Sequence, residues 1–569
     1  MVGLLAGLII LQVALAIRLN IWSADLFDAL ERRSTDHASE QIFIFIAILL
    51  GMMGTNMCHL IVKRHLQLDW RRWLTDRVIG EWMEDARHYQ AGLIPGDHAN
   101  PDGRVAEDVR VLTEAAVDLA STFFYCGLLL VTFVGILWSL SGWIQVAGVE
   151  VPGHLVLLAL IYAGAGAVVA FFLGRPLVSA TDARQTKEAD FRFELVRARE
   201  CGEAIAIARA EAPARNRLNF RFETIAQAWK AQSVGLARLI AFSSGYTALA
   251  AVFPILVGTS RFLNGTLTLG GLMQSAQAFQ QVTAALSWPV DNLPRIAEWR
   301  ASVERVLALE EAIQIVALEA ARTGDTAIDL DRAPGPWMGF DDLWVADPDG
   351  TAMLSGFDLR VAQGERVLID GEHEAAASLF RVLARVWPWG RGHIYLPADA
   401  DMVAIGPRAF LAEGTLRNAL ALPPEQPDEE IIEVLRKVGL ERLVERLDTE
   451  GDWVDVLSGA EQQRLSFARL LLLRPQWILL GDATNSLDPA AADALLALLT
   501  EALPQTALVL IGQHPGSAER FDRRLTLQRA TGGEILLNSV YARRRAARTP
   551  RPPALALVDW LRKGLGRVE

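Results

Sequence analysis

Leu457-Ser458-Gly459-Ala460-Glu461-Gln462-Gln463-Arg464 opens an apolar run that reads as a helix. A hydroxyl and a glycine at such a start present backbone N–H groups and the positive end of a dipole to an anion. Ser458, Gly459, Ala460 and Glu461 are therefore candidates to hold a phosphate. A helix kept only to pack its domain would carry the same residues. A second stretch pairs an apolar strand, VLID, with Gly371, Glu372, His373, Glu374, Ala375, Ala376, Ala377, Ser378 and Leu379. A loop that wraps phosphates needs glycines, a Lys for the β- and γ-phosphates, and a Ser or Thr hydroxyl for Mg²⁺. Here Gly371 is the one glycine, and no Lys occurs between Gly371 and Phe380. Glu372 and Glu374 stand where phosphates would lie. A like charge at ~4 Å costs about 4 kcal/mol at an effective dielectric near 20. Ser378 reads as a helix-start hydroxyl only.

Other candidates sit in apolar surroundings. Gln274, Gln277 and Gln281 fall on one helical face. They would line a polar substrate pathway or hydrogen-bond between helices, and both readings stay open. Glu114 and Asp118, one turn apart, could carry protons, or they are solvated or paired with Arg110. His59 reads as a packed polar residue. Arg71, Arg72 and Arg77 read as topology determinants on a helix surface. The three cysteines, Cys58, Cys126 and Cys201, have no metal-ligand spacing.

Positioning such groups takes two kinds of structure. The chain has 569 residues, too many for one core, and is 51% hydrophobic. Its mean hydropathy of +0.23 is high for a soluble protein. Apolar stretches near 2–22, 41–62, 116–139, 154–175, 239–258 and 268–290 can each span a bilayer, although the last is weak in hydropathy. The N-terminal run lacks a basic leader region, so it reads as a first span and not a cleaved signal. The basic segment KRHLQLDWRRWLTDR puts 63–115 in the cytoplasm, and the segment 139–153, without Lys or Arg, outside. Residues 1–310 form the membrane domain with two long cytoplasmic excursions, and 311–336 a linker. From 337 to 540, short strands alternate with helices, an α/β domain. The tail 541–569 is basic and then amphipathic, disordered or touching anionic lipid. The net charge of -12 argues against a nucleic acid partner.

LSGAEQQR resembles the signature motif of ABC-type ATPases. WILLGDATNSLD sits where that family has a strand ending in Asp-Glu. WRRWLTDR, NPDGRVAEDVR, FVGILWSLSG, TLGGLMQSAQAF, RIAEWRASVERV and RVLARVWPWGRGHI together resemble the SbmA/BacA-like branch, related to peroxisomal fatty-acyl transporters. The resemblance implies six transmembrane helices of ABC exporter type followed by an α/β P-loop-type ATPase domain. It implies a dimer in the bacterial inner membrane, with the ATPase domain in the cytoplasm. It also implies ATP and Mg²⁺, and a peptide, acyl or cobalamin-like substrate. Against that pattern the catalytic set is degenerate. Gly481 replaces the Mg²⁺-binding Asp, Asp482 the catalytic Glu, Gln513 the switch His and Pro407 the γ-phosphate-sensing Gln. Asp482 cannot replace the lost Asp if strand alternation aims it at the other face. NPDGRVAEDVR reads as a coupling or helix-turn element between membrane and ATPase domains, and a helix cap with surface charges would look the same. In the family the signature completes the ATP site of the other subunit. The expectation is a heterodimer in which this chain donates Ser458 and Gly459 to an intact partner. The rivals are a proton-driven homodimer with a vestigial ATPase domain, and a non-transporting receptor or scaffold.

Overall fold

The computed structural model describes residues 1–96, 100–146, 149–324, 327–397, 401–420, 426–512, 518–529 and 535–540. The switch position Gln513 and the tail 541–569 lie outside them. Two units are distinguished: Met1–Ile79 with Asn100–Leu309, and Gly80–Ala99 with Glu310–Glu569.

The first unit is helical. Its helices are α1 (Val2–Glu31), α2 (Thr35–Met83), α3 (Val109–Ser141), α4 (His154–Glu200), α5 (Glu211–Leu263), α6 (Leu269–Asp291) and the first part of α7 (Leu293–Ala320). Five helical stretches, carrying α1 to α5, are long and apolar enough to cross a membrane. α6 falls below that mark, and its packing gives the reason. It contacts α1, α3, α4 and α5 and buries Gly270, Ser275, Ala278, Phe279, Val282 and Thr283. A helix shielded by its neighbours is not required to be apolar all round. Close approach depends on Gly270, where a Cβ would come within 2.2 Å of the Ala24 carbonyl.

NPDGRVAEDVR takes the helix-turn form. Asn100 turns the chain at φ +62, Pro101 takes the first helical position, and the segment leads into α3. Asp108, buried, accepts from Arg104 at 3.1 Å, Ser302 at 3.0 Å and Arg305 Nε at 2.9 Å. Its role is to tie the base of α3 to α7. An upstream part of this excursion, Gly80–Ala99, belongs to the second unit. The short turns Glu84–Leu93, with Asp85 and Ala86 at positive φ, bring Gln90 Nε2 to 3.1 Å from the Val386 carbonyl and pack Ala91 on Ala312 and Val316.

The second unit is α/β. Its main strands and helices are β1 (Ile328–Ala333), β2 (Trp337–Ala346), β3 (Ala352–Ala362), β4 (Arg366–Gly371), α8 (His373–Leu383), β5 (Gly390–Pro397), β6 (Met402–Ile405), α9 (Gly459–Leu473), β7 (Trp477–Gly481), α10 (Pro489–Ala502), β8 (Ala507–Ile511), β9 (Arg523–Arg529) and β10 (Ile535–Val540). The main sheet runs β10-β9-β4-β8-β7-β6, parallel except for the β9–β10 pair. β7 and β8 are buried at every residue, which is why WILLG and ALVLI read as unbroken apolar runs. A second sheet runs β1-β5-β2-β3. β1 lies inside the stretch expected to be linker and pairs parallel with β5, so the domain begins earlier than Trp337.

Candidate nucleotide site

β4 delivers the chain to the place where a phosphate loop would stand. Gly371, at φ +119, is obligatory there because a Cβ would lie 2.2 Å from the Leu527 carbonyl. Glu372 is the only residue between β4 and α8. Its N–H donates to the same carbonyl at 3.2 Å. A one-residue junction leaves no loop of N–H groups to wrap a phosphate. Burial, then the nearby carboxylates of Asp349 and Glu374, push the Asp347 carboxyl above its ordinary value.

Ser378 is not a helix-start hydroxyl. It is the sixth residue of α8 and buried, and its Oγ donates to the Glu374 carbonyl at 2.9 Å. Ala377 beside it carries no polar group. Asp482 does not follow the strand alternation expected of it. It sits one residue past β7 at φ +48, with its N–H bonded to the Ile511 carbonyl at 2.9 Å. The turn brings its carboxylate to 3.4 Å from His373 Nδ1, the first residue of α8. Gly512 makes room for this, since a Cβ there would lie 2.1 Å from Asp482 Oδ1. The space beside Gly481 is filled as well: a Cβ on Gly481 would meet the Phe380 ring at 2.4 Å. Gly481→Asp should therefore cost about 1–3 kcal/mol through overpacking and should not create Mg²⁺-ATP binding. Thermal unfolding with and without Mg²⁺-ATP reads both effects. A stable variant that gains a nucleotide-dependent shift would overturn the account. At Pro407 the backbone carbonyl accepts from Gln463 Nε2 at 3.3 Å, and Gln463 Oε1 accepts from the Ser486 N–H at 3.0 Å.

The signature half is arranged differently. Ser458 is the N-cap of α9 in a reciprocal capping box with Glu461. Glu461 Oε2 accepts from the Ser458 N–H at 3.1 Å and from its hydroxyl at 2.9 Å, and Oε1 accepts from Arg442 Nε at 2.7 Å. Burial opposes the charge on Glu461. The hydrogen bonds from Arg442 and Ser458 outweigh it and hold the carboxyl below its ordinary value. Ser458 and Gly459 are exposed, so the positive end of a 15-residue helix faces outward. A Cβ on Gly459 would lie 3.2 Å from Ser486 Oγ, so the small residue keeps the two motifs together. Ala460 is half-buried.

This box makes stability depend on pH. Glu461 has a lowered folded value, so its contribution is complete above the ordinary carboxylate range and is lost as pH falls through the folded value. Glu461→Gln can keep the capping box but loses the charge that Arg442 faces, and should cost roughly 0.5–1 kcal/mol at neutral pH. The deficit in melting temperature should shrink on acidification. A deficit that does not vary with pH would count against the charge.

In the membrane unit the three glutamines separate. Gln277 Nε2 donates to Ser23 Oγ at 2.9 Å, and Asn20 Nδ2 donates to the Gln274 carbonyl at 3.2 Å, so this part of the face joins α6 to α1. Gln281 lies instead on an open groove between α4, α5 and α6. Asp118 is paired with Lys63 at 3.0 Å and with Arg295 at 3.0 Å, and it accepts from Gln67 at 3.1 Å. Glu114 faces Arg110 at 3.6 Å. Sequence reasoning missed two features. The Gln90 contact gives no local signal, and Asp291, beside Gln281's groove, falls just past the expected span 268–290.

Residues 1–254 match the family described as ABC transporter transmembrane region 2. The inner membrane ABC transporter ATP-binding protein YddA of Escherichia coli is 30% identical over 525 residues, covering 90% of this chain and 91% of that protein. The human lysosomal cobalamin transporter ABCD4 is 25% identical, covering 86% of this chain and 85% of that protein. A bacterial Atm1-family ABC exporter with ATP bound has the same fold, with a TM-score of 0.70 at 18% identity over 100% of this chain and 99% of that one. A helical membrane region, an α/β ATPase-type region in the same chain and the match to YddA along nearly its full length lead to one assignment: the chain belongs to the ABC transporters, as a half-molecule of exporter type.

Proposed function

We propose that this chain is the non-hydrolysing half of a heterodimeric ABC transporter of the bacterial inner membrane, with its ATPase domain in the cytoplasm. One ATP and its Mg²⁺ bind between the phosphate loop of an intact partner half and Ser458, Gly459, Ala460 and Glu461 of this chain. The observation that carries the reading is the contrast between two helix starts. α8 follows its strand after one residue with no side-chain cap, and its first side chain, His373, faces the Asp482 carboxylate at 3.4 Å, whereas α9 keeps an exposed, fully formed capping box. Likeness to the SbmA/BacA-like branch and to ABCD4 favours a peptide, acyl or cobalamin-like cargo. The proton-driven rival is less favoured, because Asp118 and Glu114 are both held by cations. The test is ATP hydrolysis by the purified chain alone, compared with its complex with a co-purified half-transporter. Hydrolysis confined to the complex supports the reading, and hydrolysis by the chain alone at the same rate overturns it.

A further inference from the structure

We propose that the groove between α4, α5 and α6 binds a cationic, ring-bearing part of the transported molecule. Asp291 supplies the counter-charge, and Tyr246 and Phe242 supply the ring faces. This names a substrate class for the transporter reading and rests on it. The groove has a volume of about 500 Å³, within the range of small-molecule sites. Its lining includes the amides of Gln280 and Gln281 and the hydroxyls of Thr283 and Ser287, and Asp291 is the single charged group among its lining residues.

Three features make this more than a polar notch. The first is charge. Asp108, Glu114 and Asp118 each have an Arg or Lys partner, but Asp291 forms no ion pair among the described residues. Arg295, one turn further on, is held by Asp118. Asp291 is exposed on the open groove, where a carboxylate without an ion pair attracts a cation. The second is the ring ladder. Phe242 and Tyr246 have centroids 5.7 Å apart, and Tyr246 stacks on Tyr162 at 4.5 Å. Ring faces attract cations, most strongly where water is excluded. The third is Gly166, where a Cβ would lie 2.4 Å from the Tyr246 ring, so the ring position depends on that glycine. An acyl carboxylate or a phosphate would meet the wrong charge here.

The test uses the full chain in lipid nanodiscs, with empty nanodiscs subtracted. Tetraphenylphosphonium is the cationic probe and palmitoyl-CoA the anionic one. Saturable binding of the cation is expected, weakened roughly tenfold or more by Asp291→Asn, the scale of a close charge pair. Asp291→Glu should keep most of the affinity, and Gly166→Ala should lose several-fold by displacing the ring. Size-exclusion profiles like that of the wild type establish that each variant is folded. Absence of saturable cation binding, equal affinity in Asp291→Asn, or displacement of the cation by palmitoyl-CoA at lower concentration than by unlabelled cation would each overturn the proposal. This readout needs neither ATP nor a partner. Failure of ATP-driven translocation by the complex would sink the transporter reading and leave the groove standing. Loss of charge selectivity would sink the groove alone.

Discussion

Purified alone in lipid nanodiscs, this chain should hydrolyse ATP at least about a thousandfold below the ordinary enzymatic range of ~1–10³ per second. Phosphoryl transfer depends on positioning and on neutralising the charge of the transferred group. Each preorganised electrostatic contact removed from such a site costs roughly 10²–10³ in rate. Here the Lys is absent, the junction between β4 and α8 is one residue, and Gly481 offers no Mg²⁺ ligand. These losses act on one charge cluster, so they do not multiply freely, and a thousandfold is a lower bound on their joint effect. Binding should fail along with catalysis. A ligand at a hundred times its dissociation constant stabilises a fold by about 2.7 kcal/mol. Mg²⁺-ATP should therefore leave the melting curve of the lone chain unshifted. An ordinary turnover that survives repurification would show that His373, Asp482 and Phe380 move aside in solution. The closed reading of α8 would then be wrong.

The legible parts of this site are the ones set by local chemistry. A capping box needs only Ser458 and Glu461 at the right separation, so the start of α9 could be read directly. Strands buried on both faces announce themselves as apolar runs, as β4, β7 and β8 do. What was hidden depends on partners distant in sequence. Asp482 reverses its expected direction through one positive φ, tolerated because Gly512, on another strand's end, has no side chain. Ser378 is turned inward by the amphipathicity of α8. The apolar test for a membrane span under-rates α6, since its neighbours and not lipid surround most of it. The segment 84–94 breaks α2 with positive φ at Asp85 and Ala86, neither of them a glycine, so nothing local marks the turn.

The sharper test of the heterodimer lies at Ser458, in the complex with an intact half-transporter. Ser458→Asp keeps a capping acceptor that suits the positive end of the dipole, but it sets a second carboxylate beside Glu461, whose Oε2 lies 2.9 Å from Ser458 Oγ, so the fold should be kept with a lowered melting temperature. It should nevertheless reduce ATP hydrolysis by the complex roughly 10³-fold. The new carboxylate would stand where the partner's ATP presents its terminal phosphate, and a like charge at ~4 Å costs about 4 kcal/mol at an effective dielectric near 20. Ser458→Ala separates the two contributions. It removes the cap, worth about 1 kcal/mol, and adds no charge, so stability falls while hydrolysis declines only modestly. If the motif only packs its domain, hydrolysis follows stability alone, and neither Ala nor Asp lowers the rate of the folded complex. Ser458→Arg adds a steric arm, filling with a long side chain the space the partner's nucleotide must enter. A complex whose hydrolysis is unaffected by both Asp and Arg has no use for this helix start, and the exposed capping box is then a structural element alone.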